Sequence, residues 1–210
     1  MQPFYEQIFD KMDKTFILQR TQKLMSRIGP QATTMDMVAR ECGISKRTLY
    51  EVFPDKRTLI SEMMQMMHEE HKRDFETIFN ASSNNFEALL KIYRHIREFL
   101  EETTLTFYDD LQRLYPEIHR DHRANEVAHI RGFAQVIETA KSQGLVKEEV
   151  NSEIAAIIFM STMSSLKEGN KYEEFNYTKS QLIDATFINF LRGIATIDGI
   201  NYIENFLLKQ

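Results

Sequence analysis

Several features are scarce in this sequence of 210 residues, and each scarcity excludes a class of protein. Because Cys42 is the single cysteine, no intramolecular disulfide can form, which is typical of proteins of the reducing cytoplasm. No apolar run approaches the roughly 18 residues that a membrane-spanning helix needs. The N-terminus lacks the basic and apolar leader of exported proteins. We therefore expect a cytoplasmic protein without a membrane segment.

The spacing of apolar residues predicts an all-α fold. Only four prolines and seven glycines are present, and apolar residues recur every three or four positions with no alternating strand pattern. We predict eight or nine helices, near residues 5–27, 34–42, 46–52, 56–79, 86–102, 104–114, 120–143, 152–168 and 178–197. Breaks are expected at Gly29-Pro30, Gly43, Pro54-Asp55, residues 80–85, Pro116, Gly144, Gly169-Asn170 and Asp198-Gly199. The predicted inner face of the first helix comprises Ile17, Leu18, Thr21, Leu24, Met25 and Ile28.

The second and third predicted helices form a helix-turn-helix pattern. Thr33 or Thr34 can cap the second helix, Gly43 supplies the turn, and Ser45 can cap the third helix at residues 46–52. Short side chains at the start of that helix let its backbone approach a DNA groove, and the basic Lys46 and Arg47 can reach phosphates or bases. Leu49 and Phe53 are expected to face the core beside Val38 and Ala39.

The distribution of charge agrees with contact to DNA at one end only. Residues 14–50 contain seven basic and two acidic side chains, a balance of +5, whereas the whole chain carries −5. The remaining residues therefore carry −10. A basic N-terminal module on an acidic body is the asymmetry expected when the module alone meets phosphate.

These residues resemble the TetR family of bacterial transcriptional regulators over about residues 15–60. The resemblance lies in Gly29, Ala32-Thr33-Thr34, Val38-Ala39, Gly43-Ile44-Ser45, Thr48-Leu49-Tyr50, Phe53, Lys56 and Leu59. Beyond them the chain is similar in its helical pattern and in residues 190–194, which are similar to the family's last helix. The resemblance implies a three-helix DNA-binding domain at residues 1–55 and an effector-binding and dimerisation domain at residues 56–210. The expected function is a repressor that a small effector releases from its operator.

The resemblance also implies positions for contact with double-stranded DNA. Thr34, Tyr50 and Lys56 fall where members of the family hold phosphates. Bases or adjoining phosphates are expected at Thr33, Ser45, Lys46, Arg47 and Thr48. Many members have glycine where this chain has Arg47, which could therefore recognise guanine through O6 and N7. Glu51 is a second departure, and an acid there either weakens binding or faces away from the DNA.

The C-terminal residues are rich in apolar and aromatic side chains, which are typical of ordinary core as well as of a ligand pocket. The resemblance implies a small apolar or amphipathic effector. The candidate effector residues are His95, Phe99, Tyr108, Phe133, Ile137, Met160 and Met163. His95 is equally compatible with a histidine bonded within the core. An alternative function is a DNA-bound dimer that recruits a protein partner without any small effector.

The last two long helices are the predicted homodimer interface. Bulky and small side chains alternate there, which permits close helix packing. These residues are Ile154, Ala155, Ile157, Ile158, Ser161, Ser164 and Ser165 on one helix, and Leu182, Ala185, Ile188, Asn189, Arg192 and Ala195 on the next. A two-fold dimer would place two recognition helices about 34 Å apart and predicts a near-palindromic operator. Methionines 63, 64, 66 and 67 on the fourth helix are expected either to fill ordinary core or to repack when an effector tilts that helix.

No catalytic motif stands out. The pairs His68 and His71, and His119 and His122, share helix faces but lack the zinc-protease spacing and a third ligand, so solvated helix surface is the expected explanation. There is no glycine-rich phosphate loop and no nucleophile elbow. We therefore expect no enzymatic activity, no metal and no cofactor.

Overall fold

The computed structural model of the protein describes residues 2–101, 103–104, 106–123, 126–167 and 174–208, without the side chains of residues 2–13, 119, 121–123, 126, 167 and 179. These ranges contain eleven helices: α1 (Gln2–Ile28), α2 (Met35–Cys42), α3 (Lys46–Val52), α4 (Lys56–Asn80), α5 (Asn85–Glu101), α6 (Phe107–Leu114), α7 (Pro116–Arg123), α8 (Glu126–Ser142), α9 (Ser152–Lys167), α10 (Lys179–Ile194) and α11 (Ile197–Leu207). The all-α prediction is confirmed, and the β contact among these residues is one isolated bridge between Val146 and Ala195.

The chain divides into two compact units. The first unit comprises Met1–His71 and Thr106–His122, and the second comprises Lys72–Leu105 and Arg123–Gln210. The predicted functional boundary at residue 55 does not coincide with this division, because most of α4 up to His71, together with α6, belongs to the first unit. The three-helix module is thus completed by a segment that follows it by some fifty residues in the sequence.

Buried apolar side chains hold the first unit together. On α1 the predicted inner residues are buried, except that Ile28 is 38% exposed, because it is the last residue of the helix and Gly29 turns the chain immediately after it. The predicted contacts of α2 and α3 with the core are confirmed by the burial of Val38, Ala39, Leu49 and Phe53. Met63, Met64 and Met67 of α4 are also buried, as ordinary core residues would be.

Local hydrogen bonds explain the turn between α2 and α3. Thr34 caps α2 by accepting a bond from the Met37 amide at 3.2 Å, and Ser45 caps α3 by accepting one from the Thr48 amide at 3.0 Å. Between them Gly43 adopts φ +67°, a conformation that side chains disfavour, and its amide donates to the Arg40 carbonyl at 3.1 Å. The sequence of short polar caps around one glycine therefore fixes the geometry of this turn.

In the second unit α8 packs against α5 and α9, and α10 packs against α5, α9 and α11. The predicted helix at 120–143 was wrong in its extent, since α7 ends at Arg123 and α8 begins at Glu126. The predicted break at Pro116 is confirmed, since α6 ends at Leu114 and Pro116 begins α7, where its missing amide hydrogen carries no cost. The predicted break at Gly169-Asn170 lies outside the described residues.

The predicted break at Asp198-Gly199 was also wrong. The chain turns earlier, after α10 ends at Ile194, and Thr196 caps α11 by accepting a bond from the Gly199 amide at 3.2 Å. Gly199 lies inside the first turn of α11. Glycine is required there because a Cβ would stand 2.2 Å from the Leu145 carbonyl oxygen. The glycine permits close packing and does not end the helix.

Among the described residues, we find no helix that combines the length and the apolar character needed to cross a bilayer.

Candidate nucleic-acid interface and effector region

Helix α3 presents its polar face to solvent. The side chains of Ser45, Lys46, Arg47 and Thr48 are exposed, and Tyr50 is 42% exposed, while Leu49 anchors the helix in the core. Hydroxyl and basic groups are thus placed together at the N-terminal end of one short helix. This is the arrangement that contact with a major groove requires.

The basic side chains of α3 form ion pairs within the protein. Lys46 Nζ lies 2.7 Å from Asp36 Oδ1, and this hydrogen bond raises the pKa of Lys46. Arg47 Nε donates to Glu51 Oε1 at 2.9 Å. Exposed pairs of this kind are weak because water screens the charges, so phosphates or bases can replace the carboxylates. Glu51 is therefore bound along the helix to Arg47, and it reduces the positive charge that this arginine presents.

Thr33 requires a correction as a predicted contact to bases or phosphates. Its side chain is buried, and its hydroxyl donates to the Gly29 carbonyl at 2.8 Å. The burial arises because the loop after α1 folds back on itself before α2 begins. Thr33 stabilises that loop, whereas the neighbouring Thr34 is exposed and its hydroxyl caps α2.

Lys56 is half-buried and is hydrogen-bonded to the loop after α1. Its ammonium donates to the Pro30 carbonyl at 2.6 Å, and it is half-buried at the start of α4. Burial lowers the pKa of Lys56, and the negative charge of Asp110 opposes this change. Because an ammonium carries three hydrogens, the bond to Pro30 is compatible with a further bond to a phosphate.

The predicted effector residues do not all lie in one unit. Tyr108 belongs to the first unit, where it is buried and packs edge-on against Phe107 with ring centroids 5.2 Å apart. Burial raises the pKa of Tyr108 to about 12. The other six predicted effector residues belong to the second unit, and a role for Tyr108 beside them stays a prediction.

Within the second unit the predicted residues are packed among aromatic rings. The ring of Phe133 stacks on Phe159 at 4.7 Å, and Phe159 also contacts Phe187 at 5.0 Å and Phe190 at 4.7 Å. Ile137 and Met163 are buried, whereas Phe99 and Met160 are partly exposed. Sequence reasoning missed Phe187 and Phe190 as members of this cluster, although their spacing of three places them on one helix face.

His95 of α5 contacts residues of α4. Its Nε2 is 3.5 Å from Asp74 Oδ2, and its ring meets the edge of Phe75 with centroids 5.9 Å apart. Its side chain is partly exposed. The side chains of His119 and His122, which were also considered for metal binding, lie outside the described residues.

A partly buried polar network between α5 and α10 was not predicted. Tyr93 on α5 donates to Asp184 Oδ1 on α10 at 2.5 Å, and Arg97 lies 3.0 Å from the same carboxylate oxygen. Burial and the bond to Asp184 raise the pKa of Tyr93. The network fastens α5 to α10, one of the two predicted dimer helices. No sequence signal joins these residues, since about ninety positions separate Tyr93 from Asp184.

A solvent-open hollow of about 430 Å³ lies where α8 meets the loop before α9, with Glu138, Lys141 and Glu149 in its lining. None of the predicted effector residues lines this hollow.

The predicted dimer helices carry an exposed apolar face. On α9, Ile154, Ile157 and Ile158 are 57%, 49% and 58% exposed, and their spacing places them together. On α10, Ala185 and Asn189 are exposed. Three residues predicted to face a partner, Ala155, Ile188 and Ala195, are instead buried within the subunit and require correction, since they lie on faces that pack against its own helices.

Comparison with known proteins agrees with this geometry. Residues 17–63 match the family profile described as bacterial regulatory proteins of the tetR family. Over 93 residues the chain is 30% identical to the uncharacterized HTH-type transcriptional regulator YhgD of Bacillus subtilis (strain 168). This match covers 44% of this chain and 49% of YhgD. The match thus spans about half the length of this relative.

Solved structures with low sequence identity share the fold. A transcriptional regulator of the TetR family from Agrobacterium tumefaciens is 17% identical, with a TM-score of 0.71 over 89% of this chain and 100% of that one. The reduced form of NemR from E. coli is 11% identical, with a TM-score of 0.67 over 88% and 97% of the two chains. The capped helix-turn-helix therefore lies in a segment that matches the tetR family of bacterial regulatory proteins, and the chain shares its fold over most of its length with the TetR-family regulator from Agrobacterium tumefaciens.

Proposed function

We propose that this protein is a homodimeric transcriptional repressor that binds a near-palindromic operator and is released by a small apolar or amphipathic effector. The observation that carries the proposal is the exposed N-terminal end of α3, where Ser45, Lys46, Arg47 and Thr48 share one solvent-facing surface. This surface belongs to the segment that matches the tetR family. Leu49 anchors the same helix in the core, so the polar groups are held in a fixed orientation.

The proposed DNA contacts follow from exposure and charge. Thr34 and Tyr50 would bind phosphates, and Arg47 would exchange Glu51 for a guanine edge in the major groove. Lys56 would bind a phosphate while it keeps its bond to Pro30. Replacing Lys56 would therefore also release the loop after α1, so this change cannot isolate a phosphate contact.

The proposed dimer rests on α9 and α10. The three exposed isoleucines of α9 form an apolar face that a second copy can cover through a two-fold axis. Such symmetry would align two copies of α3 with successive major grooves of one duplex. In this proposal the effector moves helices of the second unit and thereby tilts α4, which changes the distance between the two recognition helices.

An effector in the predicted region must compete with aromatic packing. Phe133 stacks on Phe159, so a ligand near Ile137 and Met163 would have to displace the Phe133 ring. Displacement of one side chain is compatible with binding because the incoming ligand restores apolar contact. His95, with its polar nitrogen near Asp74, would supply a hydrogen bond to an amphipathic ligand.

Selection of bound duplexes from a random DNA pool at moderate salt tests this proposal. We expect enrichment of inverted half-sites with centres about 34 Å apart, or a multiple of that distance. Arg47→Ala should relax the preference at one base pair of each half-site, whereas Arg73→Ala, an exposed arginine outside the first unit, should leave it unchanged. Absence of any enriched sequence would refute operator binding.

The same aromatic packing favours a second candidate function, in which the dimer recruits a protein and needs no small effector. The two candidates differ in one measurement on the operator complex. Release of the operator by the small-molecule filtrate of a cell extract supports the effector, and Phe133→Ala should then alter the concentration required. Operator affinity that no filtrate changes would support recruitment instead.

A further inference from the structure

The loop between α1 and α2 is held by a side chain from a distant part of the sequence. The backbone amide of Gln31 donates to Asp110 Oδ2 at 2.8 Å. Asp110 lies on α6 and is only 6% exposed, although it carries a carboxylate. A buried carboxylate that accepts a backbone hydrogen bond forms one of the stronger polar contacts in proteins.

The loop is shaped to admit this carboxylate. Gly29 adopts φ +82°, and a Cβ there would stand 3.0 Å from Asp110 Oδ2 and 3.1 Å from Thr106 Oγ1. The second carboxylate oxygen of Asp110 lies 3.3 Å from Arg113, which also donates to the side-chain oxygen of Gln31. Both the backbone and the side chain of Gln31 are therefore bonded to α6.

A second attachment holds the same loop from α4. Lys56 donates to the Pro30 carbonyl at 2.6 Å, and the adjacent Arg57 forms an ion pair with Glu117 of α7 at 2.7 Å. The loop thus lies between one acidic group and one basic group that belong to different helices of the first unit. Neither group is part of the helix-turn-helix.

The position of this loop determines where α2 begins. Thr33 is buried and bonded to Gly29, and Thr34 follows directly as the cap of α2. Only two residues lie between Gln31 and Thr34, so there is little chain in which a displacement of the loop can be absorbed. Because Gly43 fixes the turn from α2 to α3, movement of α2 also moves the recognition helix.

We propose that Asp110 is a positioning residue for operator binding, which holds the loop at residues 29–31 so that α2 and α3 present their polar groups to the groove. This inference rests on the proposed function, because it assigns to α6 a role in DNA recognition. Asp110 itself touches no DNA in this proposal. Its effect passes through the Gln31 amide and the cap at Thr34.

Two substitutions and one control separate positioning from general stability. Asp110→Ala removes the acceptor, whereas Asp110→Asn keeps a side-chain oxygen that can still accept the Gln31 amide hydrogen. Ile203→Val shortens a buried side chain of α11 in the second unit and lowers stability without contacting the loop. Operator affinity is measured by fluorescence anisotropy per folded dimer, at a temperature where circular dichroism shows each variant to be folded.

We expect Asp110→Ala to weaken operator binding about tenfold, as loss of a hydrogen bond to a charged group implies. The operator affinity of Asp110→Asn should stay within about threefold of that of the unchanged protein, because its side-chain oxygen still accepts the Gln31 amide hydrogen. The operator affinity of Ile203→Val should equal that of the unchanged protein, because the loop is not altered. Hydrogen exchange of the Gln31 amide should accelerate about tenfold in Asp110→Ala and less in Asp110→Asn. A general loss of stability would instead accelerate hydrogen exchange at many amides, not at the Gln31 amide alone.

The outcomes distinguish this inference from the proposed function. If the unchanged protein binds no selected duplex, the proposed function fails, and the exchange of the Gln31 amide still decides whether Asp110 holds the loop. If the operator is bound but Asp110→Ala binds it with unaltered affinity, the positioning role is overturned. Equal affinity losses in Asp110→Ala and Ile203→Val would likewise overturn it, because both would then report stability alone.

Discussion

Replacement of Ile157 by alanine provides the sharpest test of the proposed dimer. Complete burial of an isoleucine side chain contributes about 2 kcal/mol, and Ile157 is 49% exposed in the subunit, so pairing would gain about 1 kcal/mol from each copy. In a two-fold dimer the substitution is present in both copies, so the loss of free energy is doubled. Since alanine keeps part of the contact area, the dissociation constant of the dimer should rise roughly ten- to thirtyfold. Alanine favours helices, so we expect α9 to remain folded.

Sedimentation equilibrium at several protein concentrations measures this dissociation constant directly. Val127 is the matched control, because it is 60% exposed on α8 and lies outside the proposed interface. Val127→Ala should therefore change the dissociation constant less than about twofold, as expected for a surface substitution without a partner contact. Operator binding by Ile157→Ala should also require higher protein concentrations, because dimerisation and DNA binding are linked.

The reasoning would be refuted if Ile157→Ala and the unchanged protein dimerised equally well. A dimer that Val127→Ala weakens as strongly as Ile157→Ala would place the interface elsewhere. A protein that stays monomeric at all concentrations would remove the proposed two-fold arrangement altogether.

Three further predictions address charge, close packing and acid stability. Glu51→Gln removes a negative charge from the recognition helix and should tighten operator binding about threefold at low salt, as measured by fluorescence anisotropy. Gly199→Ala should lower the thermal unfolding midpoint, because the new Cβ would stand 2.2 Å from the Leu145 carbonyl oxygen, and the required backbone shift costs about 2 kcal/mol. Hydrogen bonds from Lys91 and from the hydroxyl and amide of Ser83 lower the pKa of Glu87 from 4.5 to about 2, so the stabilising contribution of Glu87 is present above pH 4.5 and is lost as pH falls towards 2. Replacing Glu87 by glutamine should therefore cost at most about 1 kcal/mol at neutral pH and flatten the acid unfolding curve followed by circular dichroism.

Each of these predictions has a clear contrary result. Weaker operator binding by Glu51→Gln would show that the acid supports recognition. An unaltered unfolding midpoint for Gly199→Ala would contradict the close approach of Leu145. Acid unfolding curves that superimpose with and without Glu87 would contradict its lowered pKa.

The helix-turn-helix could be predicted because its determinants are local. Thr34, Gly43 and Ser45 act on amides three or four positions away, and each uses chemistry that its residue type largely dictates. The burial of Leu49 and Phe53 likewise follows from helical spacing. The family resemblance over residues 15–60 rests on this same local pattern.

Features that depend on how the chain packs around a residue were predicted poorly. Thr33 and Thr34 are adjacent and chemically identical, yet one is buried against Gly29 and the other is exposed. Glycine is typical of helix ends, but Gly199 lies within α11, where the close Leu145 carbonyl leaves no room for a side chain. Residue type alone cannot distinguish these cases, since burial is set by how the surrounding chain packs.

The sequence by itself determined the all-α class, the caps and turn around α3, and the basic character of the N-terminal module, because these depend on spacing and composition along a few turns of chain. Only the tertiary structure decided that Asp110 holds the loop before α2, that Tyr108 belongs to the first unit, and that Phe133 stacks within an aromatic cluster. Burial and hydrogen bonding of these side chains are set by neighbours tens of residues away, and no local pattern encodes such neighbours.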